Sequence, residues 1–237
     1  MTQWINMGNL KIVPIKIGFS NSVLIVNGTN SILIDTGVKG HLEQFEMLFR
    51  KYKLKPTDIK LIILTHTHYD HTGNLNELAK RTGAKVLVHK SEFENLKNGF
   101  TPIPKGTRFY TKIIVALGRW LKPGYASPAP FTAQLVNTEE YKLLDYEIDG
   151  LVIHTPGHTN GSQSVIIGKT VIAGDTFFNV REKIVFPPFA NFPKQVLESW
   201  DTIFKLGIEE IIPAHGKKFK VEKALAEYEK WKFKINN

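Results

Sequence analysis

The chain has 237 residues, 42% of them hydrophobic and 22% charged, and it contains no cysteine. This length and balance match one globular domain of ordinary size, and the missing cysteines exclude a disulfide framework, a thiolate nucleophile and a Cys-based zinc site. The formal charge of +9, from 31 Lys and Arg against 22 Asp and Glu, admits an anionic partner, but the lysines are spread along the chain and read first as a solvated face. Met1 to Asn9 is mixed and polar, unlike a signal peptide, and no apolar run approaches the ~20 residues that span a bilayer. The expected location is therefore cytoplasmic.

In chain order, strands are expected over Leu10–Ile17, Val23–Val26 and Ser31–Asp35, with Asn27-Gly28 as the hairpin turn between the second and third. His41–Tyr52 reads as a helix, because Leu42, Phe45, Leu48 and Phe49 recur at helical spacing. A strand over Ile59–Leu64, a helix from Asn74 to Arg81 stopped by Gly83, and a strand over Lys85–His89 follow. Ser91 is the expected N-cap of a short helix from Glu92. After about Val136, strand, helix and strand resume, with one helix starting near Pro193 and a last one over Val221–Phe233. Two runs of strands, each followed by helices, predict two packed sheets with helices on both outer faces.

Residues 98–134 interrupt this order with Pro102, Pro104, Pro123, Pro128 and Pro130. Between these prolines, Phe109–Leu121 is rich in apolar and aromatic residues, and a structureless loop of that length is uncommon. We read the segment as an insertion in a single domain of residues 1–237. Its apolar face serves as a lid over a substrate, packs on the core or on a second copy in a homodimer, or lies on a membrane surface.

Four apolar runs lead into His or Asp: Leu61–Leu64 before Thr65-His66-Thr67-His68-Tyr69-Asp70-His71, Leu151–Ile153 before His154-Thr155-Pro156-Gly157-His158, Val171–Ala173 before Gly174-Asp175, and Ile211-Ile212 before Pro213-Ala214-His215. Ligands placed just past strand ends converge in the crevice at one edge of a sheet. In an extended segment alternate residues point the same way, so His66 and His68 can grip one ion, while Asp70 and His71, after the chain turns, can face a second. His158, Asp175 and His215 would complete two coordination spheres, with Asp175 as the bridge because a carboxylate has two oxygens to share. Neutral imidazoles and carboxylates suit an open catalytic zinc site, though iron and manganese accept the same donors. Asp35, at a strand end, is expected to orient a ligating imidazole, and His154 is a candidate for the same supporting role. His41 and His89 read as a helix-start and a strand-end residue.

His66-Thr67-His68-Tyr69-Asp70-His71 resembles the HxHxDH motif of the metallo-β-lactamase fold superfamily. Asp35-Thr36-Gly37, His154-Thr155-Pro156-Gly157-His158, Gly174-Asp175-Thr176 and Pro213-Ala214-His215-Gly216 match further pieces of that family in its order, over nearly the whole chain. The resemblance implies an α/β fold, a four-layer αββα sandwich with the site at one edge. It also implies two divalent metal ions, one held by His66, His68 and His158, the other by Asp70, His71 and His215, with Asp175 bridging.

What the resemblance implies chemically is a dinuclear metal-dependent hydrolase that cleaves a carboxylic ester, thioester or lactone through a hydroxide bridging the metals. Asp70 and Asp175 are its candidate catalytic residues, and zinc is the first choice of metal. Gly174-Asp175-Thr176-Phe177-Phe178 is similar to the thioesterase pattern, although Asn179-Val180-Arg181-Glu182 lacks the cysteine- and basic-residue stretch of glutathione thioesterases. Phe178 stands where acyl-homoserine lactonases carry a tyrosine, a role left to Tyr110 or Tyr125. The expected partner is a small molecule with an apolar acyl or aromatic part, and nucleic acid is not expected. A phosphodiesterase or nuclease, or a non-catalytic metal-binding protein on the same fold, is the alternative.

Overall fold

The computed structural model describes residues 5–7, 10–121 and 127–236. The first sheet has seven strands in spatial order: β1 (Ile5–Met7), β2 (Leu10–Ile17), β3 (Ser20–Val26), β4 (Ser31–Ile34), β5 (Ile59–Ile63), β6 (Lys85–His89) and β7 (Leu135–Asn137). The strands from β1 to β4 pair antiparallel, and those from β4 to β7 run parallel. Parallel neighbours need crossovers, and these carry α1 (Leu42–Lys51), then α2 (Tyr69–Thr72) with α3 (Leu75–Thr82), then α4 (Lys90–Asn98) with α5 (Phe109–Leu121). The second sheet has six strands. It orders β13 (Phe219–Lys220), β12 (Glu210–Gly216), β11 (Thr170–Asn179), β10 (Gln163–Ile167), β9 (Gly150–His154) and β8 (Glu140–Lys142). There β11 and β12 are parallel, joined through α6 (Pro193–Lys205), and α7 (Val221–Asn236) follows β13.

Strand periodicity sorts the side chains into three apolar layers. Leu61 and Ile63 of β5 turn inward to meet Val152, Val165, Ile172 and Ile212 of the other sheet. Their neighbours Ile62 and Leu64 turn outward and pack with Phe45, Leu48, Leu75 and Leu78 of the helices α1 and α3. On the far side, Val171, Ala173 and Ile211 meet Val196, Trp200 and Ile203 of α6 and Tyr228 and Trp231 of α7. The result is the four-layer αββα sandwich. No helix of the described residues is long and apolar enough to cross a membrane.

Local details differ from the sequence reading. The β3–β4 hairpin closes through a short 3-10 turn over Gly28–Asn30, because the Ser31 hydroxyl bonds the Gly28 carbonyl and accepts from the Asn27 N–H. The α4 helix begins at Lys90, so its cap is His89, whose Nδ1 accepts from the Ser91 N–H at 3.2 Å. The strand expected to end at Gly174-Asp175 continues as β11 to Asn179, past irregular pairing with β12 around Gly174. Gly174 has φ of +50°, and a Cβ there would lie 2.6 Å from Thr65 Cβ, so only glycine lets β11 pass this close.

Candidate metal centre

At one edge of the sandwich the strand ends deliver seven His and Asp side chains to one place. His66 and His68 lie in the extended turn after β5, and Asp70 and His71 in the short α2 that follows. His158 comes from the turn after β9, Asp175 from the irregular stretch of β11, and His215 from the end of β12. His66, His68, Asp70, His71, His158 and Asp175 are buried, and His215 is partly exposed.

The contacts fall into two groups that share a carboxylate. His68 Nδ1 sits 2.8 Å from His66 Nε2 and 3.0 Å from His158 Nε2. Opposite, His215 Nε2 lies 3.3 Å from Asp70 Oδ2, and His71 Nε2 3.9 Å from the same oxygen. Between them, Asp175 Oδ1 is 3.4 Å from His71 Nε2 and 3.3 Å from His215 Nε2, while its Oδ2 is 3.5 Å from His158 Nε2. Donor atoms of His66, His68 and His158 lie within 4.8 Å of one another, as do those of Asp70, His71 and His215; a third such set, His66, His71 and Asp175, links the two.

These atoms fit a cation better than they fit one another. One proton on His68 Nδ1 could serve only one of the two imidazole nitrogens that crowd it, whereas a cation at the centre satisfies all three. His71 Nε2 and Asp175 Oδ1 are buried without a hydrogen-bond partner, a state that costs free energy unless something else compensates. Burial, reinforced by the His158 ring, pushes His68 down to about 3, and burial with the other imidazoles holds His66 well below its ordinary value, so both stay neutral. Burial works to raise the Asp175 carboxyl, but the His215, His71 and His158 rings overcome it and keep it ionised.

The outer contacts decide which ring nitrogens face inward. His71 Nδ1 lies 2.7 Å from Asp35 Oδ2, and Asp35 also accepts from the Thr65 N–H and hydroxyl at 2.7 Å each. Asp35 thus occupies the place expected of it, with φ of +56° just after β4. His158 Nδ1 is 2.8 Å from the Phe189 carbonyl, and His215 Nδ1 is 3.3 Å from that of Phe19. Protons on these three Nδ1 atoms leave the Nε2 lone pairs directed at the centre. Burial lowers His71, but the Asp35, Asp70 and Asp175 carboxylates outweigh it and raise the ring well above its usual value.

His154 does not take the supporting role expected of it. Its Nε2 instead bonds the Asn160 carbonyl at 2.8 Å, within the turn that carries His158, and its ring stacks on His89 at 3.9 Å. His41 occupies the N-cap position of α1 without capping it. Phe178 stacks on His215 at 4.9 Å with no polar atom to offer; Tyr110 is half exposed on α5, and Tyr125 lies outside the described residues.

Sequence reasoning missed the backbone carbonyls of Phe19 and Phe189, since any residue supplies a carbonyl. It also missed Glu92. This buried carboxylate accepts from the Thr67 hydroxyl and from the Gly161 N–H, while Thr101 Oγ1 lies 2.9 Å from Thr67 Oγ1. Thr67 stands between two of the candidate ligands, so Glu92 ties the His66–His68 turn to the loop after His158, and Thr101 roots the 98–134 segment there. The available signal was slight: Glu92 lies one turn before Leu96, on the face of α4 that is buried.

A family model described as the metallo-beta-lactamase superfamily matches residues 15–215. A probable metallo-hydrolase of Methanocaldococcus jannaschii is 30% identical over 161 residues, which cover 68% of this chain and 69% of that protein. A hydroxyacylglutathione hydrolase of Shewanella loihica is 24% identical over 212 residues, covering 86% of this chain and 65% of that one. The structure of ST1585, an archaeal superfamily protein from Sulfolobus tokodaii, aligns with a TM-score of 0.67 at 22% identity, over 95% of this chain and 86% of its own. With that family match across most of its length and the fold and donor groups described above, the chain belongs to the metallo-beta-lactamase superfamily.

Proposed function

We propose that this metal-dependent hydrolase cleaves the acyl bond of a small carboxylic ester, thioester or lactone, using two divalent ions held at the seven-residue centre. The observation that carries the reading is Asp175, whose two oxygens lie 3.3–3.5 Å from imidazole nitrogens of both donor groups. His66, His68 and His158 would hold one ion, Asp70, His71 and His215 the other, and Asp175 would share its oxygens between them. Bound there, the ions supply Lewis acidity and lower the pKa of water towards neutrality. The Asp35 carboxylate and the Phe19 and Phe189 carbonyls keep the Nε2 lone pairs of His71, His215 and His158 presented. The Asp70 carboxylate, 11% exposed at its side chain, would hold its ion and could accept a hydrogen bond from water there. No Ser or Cys nucleophile is needed, and the donors, all nitrogen or oxygen, make zinc the first ion to test, with iron and manganese its competitors.

The similarity to a hydroxyacylglutathione hydrolase favours a thioester, whereas Phe178 removes the hydroxyl that a lactonase of the tyrosine type uses. A phosphodiester is the second reading, favoured by a cavity of about 1110 Å³ beside His215 whose lining includes Lys16, Arg181, Lys217 and Lys218 against Glu182. The deciding experiment measures metal content per chain, then hydrolysis of a thioester, an ester, a lactone and a phosphodiester before and after chelation. About two ions per chain with chelator-sensitive cleavage of one acyl class supports the proposal. Chelator-sensitive cleavage of the phosphodiester alone would transfer the site to the second reading, and no metal after reconstitution would end both.

A further inference from the structure

The helix α5 carries its hydrophobic stripe on the wrong side for a core helix. At 100° per residue, Phe109, Ile113, Ile114, Leu117, Trp120 and Leu121 fall within one arc, and Tyr110 lies inside it. Every one of them is at least 48% exposed, with Phe109 at 81% and Trp120 at 80%. The helix is seated on the molecule by the opposite face, where Thr111 and Val115 are buried and Gly118 lies near Ile103. Lys112 and Arg119 lie together beyond the Phe109 edge of the apolar arc, between it and the seated face, and Arg119 donates to the Ile103 carbonyl at 2.6 Å. A contiguous exposed apolar patch of this kind marks an interaction surface.

Charge identifies what covers it. No Asp or Glu occurs between Glu94 and Glu139, whereas Lys97, Lys105, Arg108, Lys112, Arg119 and Lys122 do. The whole chain carries +9, so two copies meeting through this segment would bring like charges together, while an anionic surface would be attracted. The aromatic residues at both ends of the helix, Phe109 and Tyr110 at one and Trp120 at the other, suit the boundary between headgroups and acyl chains.

We propose that α5 docks the protein on an anionic lipid surface, lying in the membrane plane with its Phe109–Leu121 arc among the lipids and the basic residues beside that arc at the headgroups. This inference is independent of the hydrolase reading, since it draws on no residue of the metal centre. Each basic residue close to an anionic bilayer raises partitioning about fivefold, an attraction that salt screens.

The test is co-sedimentation of the full chain with vesicles of phosphatidylcholine alone and of phosphatidylcholine mixed with phosphatidylglycerol. It is run alongside light scattering of the protein without lipid. The expected result is at least about tenfold stronger binding to the anionic vesicles, weakened by salt and abolished by Leu117→Ser with Trp120→Ser. Lys112→Glu should weaken it about fivefold or more. These side chains are exposed, so circular dichroism and metal content should match the unmodified protein. Absence of binding at low salt, or binding retained by the double variant, would overturn the proposal. A monomer–dimer equilibrium lost in the double variant, without vesicle binding, would overturn it in favour of a second copy.

Discussion

Replacing Asp35 by Asn changes one charge and almost no volume, and asparagine tolerates the φ of +56° found there. One amide oxygen can still accept from the Thr65 N–H, now 2.7 Å from Asp35 Oδ1. The other position, 2.7 Å from both His71 Nδ1 and Thr65 Oγ1, becomes an NH₂ group. Two donors cannot face each other, so His71 must give up its Nδ1 proton, and the neutral ring then carries its hydrogen on Nε2, aimed at the centre. The partner of a ligating imidazole is worth about 10- to 100-fold in metal affinity, or about 1.4–2.7 kcal/mol. Competition with a chromophoric chelator should show that loss for one of the two ions, while the chemical denaturation midpoint of the metal-free protein moves far less than in Asp35→Ala. That second variant strands the buried Thr65 N–H, a cost of about 1–3 kcal/mol. Wild-type affinity for both ions in Asp35→Asn would refute the assignment of the His71 tautomer and of His71 as a ligand.

Asp175→Ala should lower hydrolysis by more than about 100-fold, beyond what loss of an outer contact costs, yet leave the circular dichroism spectrum unchanged; near-normal turnover would remove Asp175 from the chemistry. Gly174→Ala should destabilise the fold by about 1–3 kcal/mol, from the contact with Thr65 at 2.6 Å and a φ of +50°. An unaltered urea midpoint would contradict the close approach described for β11. Trp200→Ala should cost about 3–5 kcal/mol, because the buried indole stacks on Phe177 at 4.3 Å and donates to the Thr176 carbonyl at 2.7 Å. Glu92→Leu should both destabilise the protein by about 2 kcal/mol or more and weaken metal binding, since the Thr67 hydroxyl and Gly161 N–H lose their shared acceptor. Lost stability with unchanged metal affinity would confine Glu92 to packing.

Much of this protein was legible in one dimension. The strands with alternating or continuous β-branched residues, such as Leu10–Ile17 and Lys85–His89, are found where the pattern puts them, because a residue's side-chain direction in a strand follows from its parity alone. The four-layer sandwich followed from the order of strands and helices. The seven His and Asp residues were expected as a set because a metal centre demands particular donor atoms, which belong to few residue types, and the fold brings their side chains together. The positions of Thr65, Glu92 and Thr101 around them were not legible, since a hydroxyl or an acid is common and its partner is fixed only by packing. Backbone contributions from Phe19 and Phe189 are invisible in principle, because every residue has a carbonyl. Turn details went the same way: Ser31 and His89 won local hydrogen bonds that no pattern ranks.

The sequence by itself determined which atoms are available for chemistry and in what order along the chain they occur. Tertiary structure decided which of them meet, bringing His68 to within 3.0 Å of His158, 90 residues away, and turning His154 aside onto His89 although it lies in the same short motif. It also decided the direction of α5, whose apolar stripe faces outward. Periodicity reports that a helix has two faces, but only the surrounding packing determines which of them is left to solvent.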